Sequence, residues 1–287
     1  MQQLLTASSM LTRPIVISGP TLFEGKFSSV HIATQDQPTG LVFIKKDRPD
    51  CQPILATAAS VVSTARTTIL GNSTWRVALV EHLMAALFAY NIQNALITVD
   101  GDEIPVGDGS AIGFVQAIKQ VGFSRFAPHV FQTLDAPLHF EMGASVMAAL
   151  PYSGLKLTYM LHYENLGQIL AQHHTLVFDP DEFEKEIAPA RTFALKTEIL
   201  EMQAKGMLKN ATYECGIVID EGRVLNPEGL RFENEMARHK IVDMIGDLAL
   251  ANRPVGMHAI AIKGGHAANV ELSKRLKMLY PEKNHDA

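Results

Sequence analysis

A segment rich in apolar residues runs from Asn226 to Leu250 and constrains the fold more than any other part of the chain. Within it, His239 and Asp243 lie four residues apart in a part that is predicted to be helical, so both side chains project from one face of the helix, one turn apart. An imidazole and a carboxylate in that arrangement can reach one metal ion. The same spacing also suits a helix with a solvated polar stripe, and the helix alone does not decide between the two.

The polar residues of this segment matter because their neighbours are apolar. The apolar positions predict a helix buried on much of its surface, and they are Met236, Ile241, Val242, Met244, Ile245 and Leu248. Burying ionisable side chains there costs free energy unless they are paired or bind a metal. The ionisable positions concerned are His239, Lys240, Asp243 and Asp247.

Length and charge narrow the class of protein. With 287 residues the chain is too long for one small core, and it suits two domains of about 100–150 residues each. The net charge is −5 and no cluster of Lys and Arg is present. Phosphate neutralisation requires such a cluster, so we expect no nucleic-acid partner.

The sequence predicts neither a signal peptide nor a membrane span. Its first residues lack the basic leader and long apolar core of a signal peptide, and no stretch approaches the roughly 18 continuous apolar residues of a membrane span. Cys51 and Cys215 are too few for a disulfide framework and are expected to be reduced thiols. We therefore expect a cytoplasmic, monomeric protein that does not span a membrane.

The first half of the chain has strands before helices. Residues 13–45 alternate apolar and polar positions between turns, which predicts a strand-rich meander. Residues 77–92 are apolar at nearly every position and predict a buried helix. A buried strand at 94–100 follows. A turn then leads to a helix that ends near Gly122.

The second half has a similar order. Three strands are predicted at Phe131–Leu138, Ala144–Leu150 and Lys156–Leu161. Residues 162–180 begin as a loop, in which His173-His174 is a solvated pair or, alternatively, a second metal site. Three further predictions cover the segment before Asn226. They are a helix capped by Asp179 or Asp181 and ending before Pro189, a helix over about Leu195–Lys205, and either a strand pair or a bent strand over 216–225.

The end of the chain completes the second pattern with a buried strand, a Gly-Gly-His turn and a last helix. Both halves thus contain strands, a buried helix with an acid and a His, a strand and a closing helix. We interpret this as an α+β fold of two similar domains, 1–125 and 129–287, joined by a linker at 124–128. The seam between such domains is a natural place for a site.

Three side chains from the two buried helices suit a catalytic zinc site, which needs three protein ligands and an open position. They are His82, His239 and Asp243. Glu81 adjoins His82 in sequence, as the base of a metal-dependent protease adjoins its ligand. Neighbouring helical residues point about 100° apart, so both can address one site from two sides. The alternative for His82 is an ordinary core histidine.

Two further groups suit the protonation of a leaving amine. His266 follows two glycines, which let the backbone approach a site closely. Asp247 lies one helical turn beyond Asp243 and can hold His266 in its protonated form.

Five motifs resemble the UDP-3-O-acyl-N-acetylglucosamine deacetylases, the zinc amidases of lipid A synthesis. They are VEHLMAAL (80–87), EIPVGDGSA (103–111), ARTFAL (190–195), RVLNPEGLRFENEMARHKIVDMIGDL (223–248) and KGGHAAN (263–269). The resemblance is collinear over almost the whole chain. It implies two similar α+β domains, each a mainly antiparallel sheet with two helices, with the helices sandwiched between the sheets and the site at the domain junction.

The resemblance also implies roles for individual residues. Zinc ligands would be His82, His239 and Asp243; Fe(II) can occupy such a His₂Asp site as well. Glu81 would be the general base and His266 the general acid, partnered by Asp247. Thr192 would donate a hydrogen bond to the oxyanion and Lys240 would line the site. The substrate would be an acylated UDP-sugar that loses its N-acetyl group as acetate.

Further substrate contacts are expected on the same basis. A segment at about 195–223 would form a hydrophobic passage for the acyl chain, and the residues suited to line it are Leu195, Ile199, Met202, Met207 and Val218. Plain core packing is the alternative for these five. Phe193 is a candidate substrate contact, and Lys263 falls where the family has a basic residue near the diphosphate.

Three departures from the family pattern leave the zinc chemistry intact and the substrate open. Phe23 stands where the family has a His in a glycine-rich turn, and Leu79 replaces a Thr. Residues 129–180 match only weakly. Three functions remain: the deacetylase itself, a zinc amidase for another N-acylated sugar or nucleotide, and a catalytically silent sugar-nucleotide-binding relative.

Overall fold

The computed structural model describes residues 8–163 and 171–280, and these form an α+β fold. The helices in the described residues are α1 (Glu81–Ala89), α2 (Ile112–Val121), α3 (Pro180–Glu182), α4 (Lys196–Ala204), α5 (Glu235–Ala249) and α6 (His266–Leu279). The short α3 continues as a π-helical turn, Phe183–Ile187. None of the described helices is long and apolar enough to cross a membrane.

Five strands of the first half form one sheet in the order β2-β3-β9-β4-β5. The strands of this half are β1 (Met10–Leu11), β2 (Ile15–Pro20), β3 (Phe27–Thr34), β4 (Leu41–Lys45), β5 (Ile54–Leu55), β6 (Val61–Ser63), β7 (Ile69–Gly71), β8 (Arg76–Val77), β9 (Ala95–Val99) and β10 (Phe123–Arg125). The strand β9 pairs antiparallel with β3 and parallel with β4. Alternation along β3 buries Val30 and Ile32 and leaves His31 exposed, as the sequence pattern predicts.

The second half builds its sheet in the same order, β12-β13-β19-β14-β15. Its strands are β11 (Gln132–Thr133), β12 (Leu138–Met142), β13 (Ser145–Pro151), β14 (Leu155–His162), β15 (Ala171–Val177), β16 (Phe193–Leu195), β17 (Ile217–Asp220), β18 (Arg223–Val224) and β19 (Val255–Ile262). Here β19 pairs antiparallel with β13 and parallel with β14. The strand order and the pairing directions match those of the first sheet, so the two halves share one topology.

Each of these two sheets draws its strands from one half of the chain, and the domain bounds 1–125 and 129–287 stay a prediction. The strand β10 pairs with β1, which ties the chain up to Arg125 to the first half. A cluster of rings then joins the halves at the seam: Phe88, His129, Phe131 and Phe178.

Two strand predictions are corrected by the structure. Residues 171–177, expected in a loop, form the strand β15, which pairs with β14 and places His173 opposite Met160. Most of β15 is exposed at the sheet edge, so its sequence lacks a strong apolar alternation. The rest of that expected loop, 164–170, lies outside the described residues. The strand expected at Phe131–Leu138 is limited to Gln132–Thr133, because Pro137 lies before β12 and cannot donate to a ladder.

Several other predictions are confirmed. Asp179 caps α3 by accepting hydrogen bonds from the amides of Asp181 and Glu182. Helix α4 lies within the predicted range 195–205, α2 is followed by Gly122, and β17 and β18 form the expected strand pair. Cys51 and Cys215 are free, buried thiols.

The central helices α1 and α5 pack against each other, and α5 also contacts α6. The two helices α1 and α5 approach closely at Gly246, where an added Cβ would lie 2.0 Å from the carbonyl oxygen of Glu81. No real Cβ fits at that distance. The absence of a side chain at Gly246 is therefore a condition for the close packing of helices from the two halves.

Gly246→Ala is expected to lower the free energy of unfolding by about 3 kcal/mol, since the new methyl group must push α1 away from α5. Urea unfolding followed by circular dichroism measures this loss. Gly113→Ala is the matched control, because Gly113 lies in α2 with open space around it. That change should raise the free energy of unfolding by about 0.5–1 kcal/mol. Equal effects of the two variants would contradict the packing argument.

His129 predicts a loss of stability in mild acid. Burial lowers its pKa from 6.5 to about 4, although the hydrogen bond from Nε2 to the Phe88 carbonyl opposes this. Between these values the unfolded chain binds a proton that the folded chain does not. The contribution of His129 to the free energy of unfolding therefore falls as pH decreases from 6.5 to 4, by about 2 kcal/mol at pH 5.

His129→Phe removes this titration and should flatten the dependence of stability on pH between 4 and 6.5. Urea unfolding of the variant and the parent at pH 5 and pH 7.5 measures the difference in slope. Identical slopes would show that His129 titrates equally in the folded and unfolded chains.

Candidate metal centre and active site

The packing of α1 on α5 brings His82, His239 and Asp243 together. Their candidate ligand atoms lie within 4.8 Å of one another, and all three residues are buried. Asp243 Oδ1 is 3.3 Å from Nε2 of His239 and 3.7 Å from Nε2 of His82. The two imidazole rings meet nearly edge to face, at an interplanar angle of 87°. This is the only such cluster that the described residues form.

The orientation of His239 is set by a backbone group. Its Nδ1 lies 3.0 Å from the carbonyl oxygen of Ala190. A carbonyl can only accept, so Nδ1 donates and the lone pair remains on Nε2, which faces the cluster. Burial lowers the pKa of His239, which favours the neutral imidazole that binds metals.

Asp243 is held as a carboxylate. Burial by itself would raise the pKa of this group, but Lys240 and His239 hold it well below its usual range. Lys240 Nζ donates to Asp243 Oδ2 at 2.9 Å, which leaves Oδ1 facing the two imidazoles. Two imidazole nitrogens and one carboxylate oxygen form a donor set that suits Zn(II) and Fe(II).

A second group of ionisable side chains lies beside the cluster. Glu81 is 2% exposed, and its Oε1 is 3.8 Å from Nε2 of His266. Burial raises the pKa of Glu81, and charges on His266 and His82 oppose that rise. The two groups are close enough to act on one small molecule.

His266, the first residue of α6, is paired with Asp247. Its Nδ1 lies 3.0 Å from Asp247 Oδ2, which also accepts a hydrogen bond from Asn269 Nδ2. Burial opposes the charged imidazole, but the carboxylates of Asp247, Asp243 and Glu81 outweigh it and raise the pKa of His266 to about 9. At neutral pH the His266 imidazole is therefore protonated.

Arg191 anchors the strand that carries two of the predicted site residues. It donates from Nε to Glu235 Oε1 at 2.8 Å, and its backbone amide donates to the same oxygen. Glu235 is the first residue of α5 and is fully buried. This ion pair holds Ala190, whose carbonyl orients His239, and Thr192 against the start of α5. The sequence contained no signal for Glu235 or for the Ala190 carbonyl.

Thr192 is positioned by its backbone. Its amide donates to the carbonyl of Gly109, and its carbonyl accepts from Ile217. Gly109 has φ +82°, and an added Cβ would lie 2.2 Å from the carbonyl oxygen of Cys215. Only glycine fits there, which explains the glycine in the motif at 103–111.

An apolar groove of about 90 Å³ begins at Thr192 and Phe193. Its walls come from four segments of the chain, and the lining residues are Leu22, Phe23, Arg66, Thr192, Phe193, Ala194, Ile199, Leu208, Ala211, Thr212, Cys215, Gly216, Ile217 and Val218. Two residues of the predicted acyl passage, Ile199 and Val218, belong to this lining. Leu195, Met202 and Met207 do not.

The turn carrying Phe23 forms one wall of the groove. The buried carboxylate of Glu103 accepts hydrogen bonds from the backbone amides of Leu22, Phe23 and Glu24. The carbonyls of Leu22 and Phe23 in turn accept from the amides of Asn210 and Lys209. The groove is therefore built from both halves of the chain, and sequence reasoning missed Glu103 as its anchor.

Two cationic residues, Lys240 and Lys263, are among the predicted site residues. Lys240 Nζ lies 5.5 Å from the centroid of the Phe193 ring, in addition to its bond with Asp243. Lys263 follows β19 with φ +50° and directly precedes the Gly-Gly-His turn. Its carbonyl accepts a hydrogen bond from the hydroxyl of Ser145 at 2.8 Å.

A buried cluster of two His and one Asp, beside a second acid and a paired His, is typical of metal-dependent hydrolases. Comparison with known proteins agrees. The sequence profile of the UDP-3-O-acyl N-acetylglycosamine deacetylase family matches residues 8–278. The chain belongs to this family.

Relatives named UDP-3-O-acyl-N-acetylglucosamine deacetylase are similar over nearly the full chain. The protein from Chlamydia pneumoniae is 36% identical over 268 residues, which cover 93% of this chain and 95% of the relative. That from Chlamydia abortus is 36% identical over 277 residues, 96% and 99% of the two chains. A Chlamydia trachomatis relative (serovar L2) is 35% identical over 271 residues, 94% of each chain.

Asp247→Asn is expected to lower the pKa of His266 in the metal-free protein by about 1–3 pH units, since it removes the carboxylate nearest the imidazole. A titration of the His266 ring by nuclear magnetic resonance measures the pKa. Asp36→Asn, a change of an exposed acid far from the site, is the control and should leave it unchanged. An unaltered pKa in Asp247→Asn would refute the pairing.

Proposed function

We propose that this protein hydrolyses the N-acetyl amide of UDP-3-O-acyl-N-acetylglucosamine and releases acetate, a step of lipid A biosynthesis. The observation that carries the proposal is the grouping of the His82–His239–Asp243 cluster with Glu81 and His266, in a chain of this family. A binding module has no need of a metal cluster, an acid and a base together. This argues against the catalytically silent alternative.

The proposed metal ligands are His82, His239 and Asp243, with Zn²⁺ as the expected ion and Fe²⁺ as the alternative. When bound there, a divalent cation supplies positive charge that polarises the acetyl carbonyl and acidifies the attacking water. The neutral, correctly oriented His239 and the ionised Asp243 support this assignment.

The proton transfers are assigned to Glu81 and His266. Glu81 takes the proton of the water that attacks the acetyl carbon. His266 gives its proton to the nitrogen as the carbon–nitrogen bond breaks, so the amine and acetate leave as separate products. Asp247 holds the imidazole in position. The Thr192 hydroxyl donates to the oxygen of the tetrahedral intermediate, a contribution of about 3–4 kcal/mol for comparable donors.

The groove beyond Thr192 is proposed to hold the acyl chain. Its lining by Ile199 and Val218 supports this, while Leu195 and Met202 are proposed to act only as packing around it. Phe193 and Lys240 would line the junction between groove and metal. Lys263 would contact the diphosphate. The cytoplasmic location and the monomeric state expected from the sequence stay predictions.

Phe23 favours one alternative, a metal-dependent amidase of the same type with a shifted substrate. This side chain lines the groove, where the family pattern places an imidazole. An aromatic wall there adds apolar surface and removes a polar group near the substrate.

Acetate release from UDP-3-O-acyl-N-acetylglucosamine, with zinc supplied and metal content recorded, tests the proposal. UDP-N-acetylglucosamine without the acyl chain is the comparison substrate. Fast turnover that depends on the acyl chain supports the deacetylase and the acyl groove. A folded, zinc-loaded protein without turnover would exclude this substrate and favour the shifted-substrate amidase.

Two variants separate metal binding from proton transfer. His239→Ala should lose bound zinc, because it removes one of three ligands. Glu81→Ala should keep zinc and lower kcat by about 10²–10⁴-fold, because it removes only the general base. Zinc content measured by mass spectrometry and acetate release distinguish them. Full zinc content in His239→Ala would reject the ligand assignment, and full activity of Glu81→Ala would reject the base.

A further inference from the structure

Two consecutive threonines contact carboxylates beside the metal cluster, those of Glu81 and Asp247. Thr67 and Thr68 precede β7 and are 2% and 0% exposed. They belong to the first half of the chain, and no motif of the sequence singled them out. Both hydroxyls point at carboxylates of the site.

The hydroxyl of Thr67 donates its hydrogen bond to Glu81. Its oxygen accepts a hydrogen bond from the amide of Leu79 at 3.1 Å. Its one proton then points to Glu81, at 2.8 Å from Oε1 and 3.1 Å from Oε2. The amide of Thr68 donates to Oε2 at 3.1 Å as well. Two donors on adjacent residues therefore set both the position and the rotation of the Glu81 carboxylate.

The hydroxyl of Thr68 donates its hydrogen bond to Asp247. It donates to Oδ1 at 2.5 Å, while Oδ2 receives His266 Nδ1 and Asn269 Nδ2. The carboxylate of Asp247 is thus held at both oxygens. Because the Thr68 hydroxyl binds Oδ1, the other carboxylate oxygen, Oδ2, faces His266. Thr68 thus affects the orientation of the imidazole through the carboxylate of Asp247.

We propose that Thr67 and Thr68 are positioning residues that align the candidate base Glu81 and the candidate acid His266 with each other. This inference rests on the proposed function. The two-residue segment before β7 contacts Glu81 directly and His266 through Asp247, so the relative placement of the two proton-transfer groups depends on this one segment. Neither threonine touches substrate or metal in this assignment, so each acts only through the carboxylate it holds.

The test replaces each hydroxyl by a methyl group of similar size. Thr67→Val and Thr68→Val should each lower kcat by about 10–100-fold, since a small misplacement of a catalytic group has effects of that size. KM and zinc content should stay at the parent values. Thr67→Ser and Thr68→Ser keep the hydroxyl and should restore kcat to within about threefold of the parent.

Controls separate positioning from loss of folding. Thr57→Val removes another buried hydroxyl, which bonds Ser60 away from the site, and should leave kcat unchanged. If a Val variant does not fold, Thr67→Ala or Thr68→Ala removes the same hydroxyl with a smaller, unbranched side chain and repeats the test. In the Glu81→Ala background, Thr67→Val should have no further effect on the residual rate, because the group it positions is gone.

A measurement that does not depend on enzymatic activity tests this inference separately from the proposed function. The nuclear magnetic resonance signal of the His266 Nδ1 proton, recorded on metal-free protein, should shift in Thr68→Val and stay unchanged in Thr57→Val. Such a shift supports the Thr68 contact even if the parent releases no acetate. Parent-like kcat in both Val variants, or a KM increase with unchanged kcat, would overturn the positioning role in an active enzyme.

Discussion

The close approach of α1 and α5 is the contact on which the rest of the site depends. At Gly246 the helix α5 has no side chain, and the backbone carbonyl of Glu81 occupies that space. This brings the adjacent Glu81 and His82 against Asp243, about one turn before Gly246, and Asp247, the residue directly after it. Because the helices belong to opposite halves of the chain, the site exists only where the two halves pack together.

Such packing buries several carboxylates that would be costly without partners. Asp243 has Lys240, and Asp247 has His266, Asn269 and the Thr68 hydroxyl. Glu81 has the donors of the Thr67–Thr68 segment, yet burial still raises its pKa. The surroundings of Glu81 and Asp243 therefore shift the pKa values of the two acids in opposite directions. Asp243 is held as a stable anion, while Glu81 is more ready to accept a proton, which suits the roles proposed for them.

The groove shows how a departure from the family pattern is accommodated. Phe23 lies on a turn whose backbone amides donate to the carboxylate of Glu103. The carbonyls of this turn accept hydrogen bonds from the amides of Lys209 and Asn210, which belong to the second half of the chain. The backbone bonds of this turn do not depend on the side chain at position 23. An exchange of His for Phe can therefore change the surface of the groove without disturbing its wall.

The sequence by itself determined the helices, most of the strands and the ligand candidates, because these follow from local periodicity and from a four-residue spacing on one helix. Tertiary structure decided the edge strand β15, the anchoring of Phe23 by Glu103 and the contact of Thr68 with Asp247. That last pair is 179 residues apart in the chain. Local patterns report which face of an element is buried, but only the packing of the two halves determines which buried groups meet.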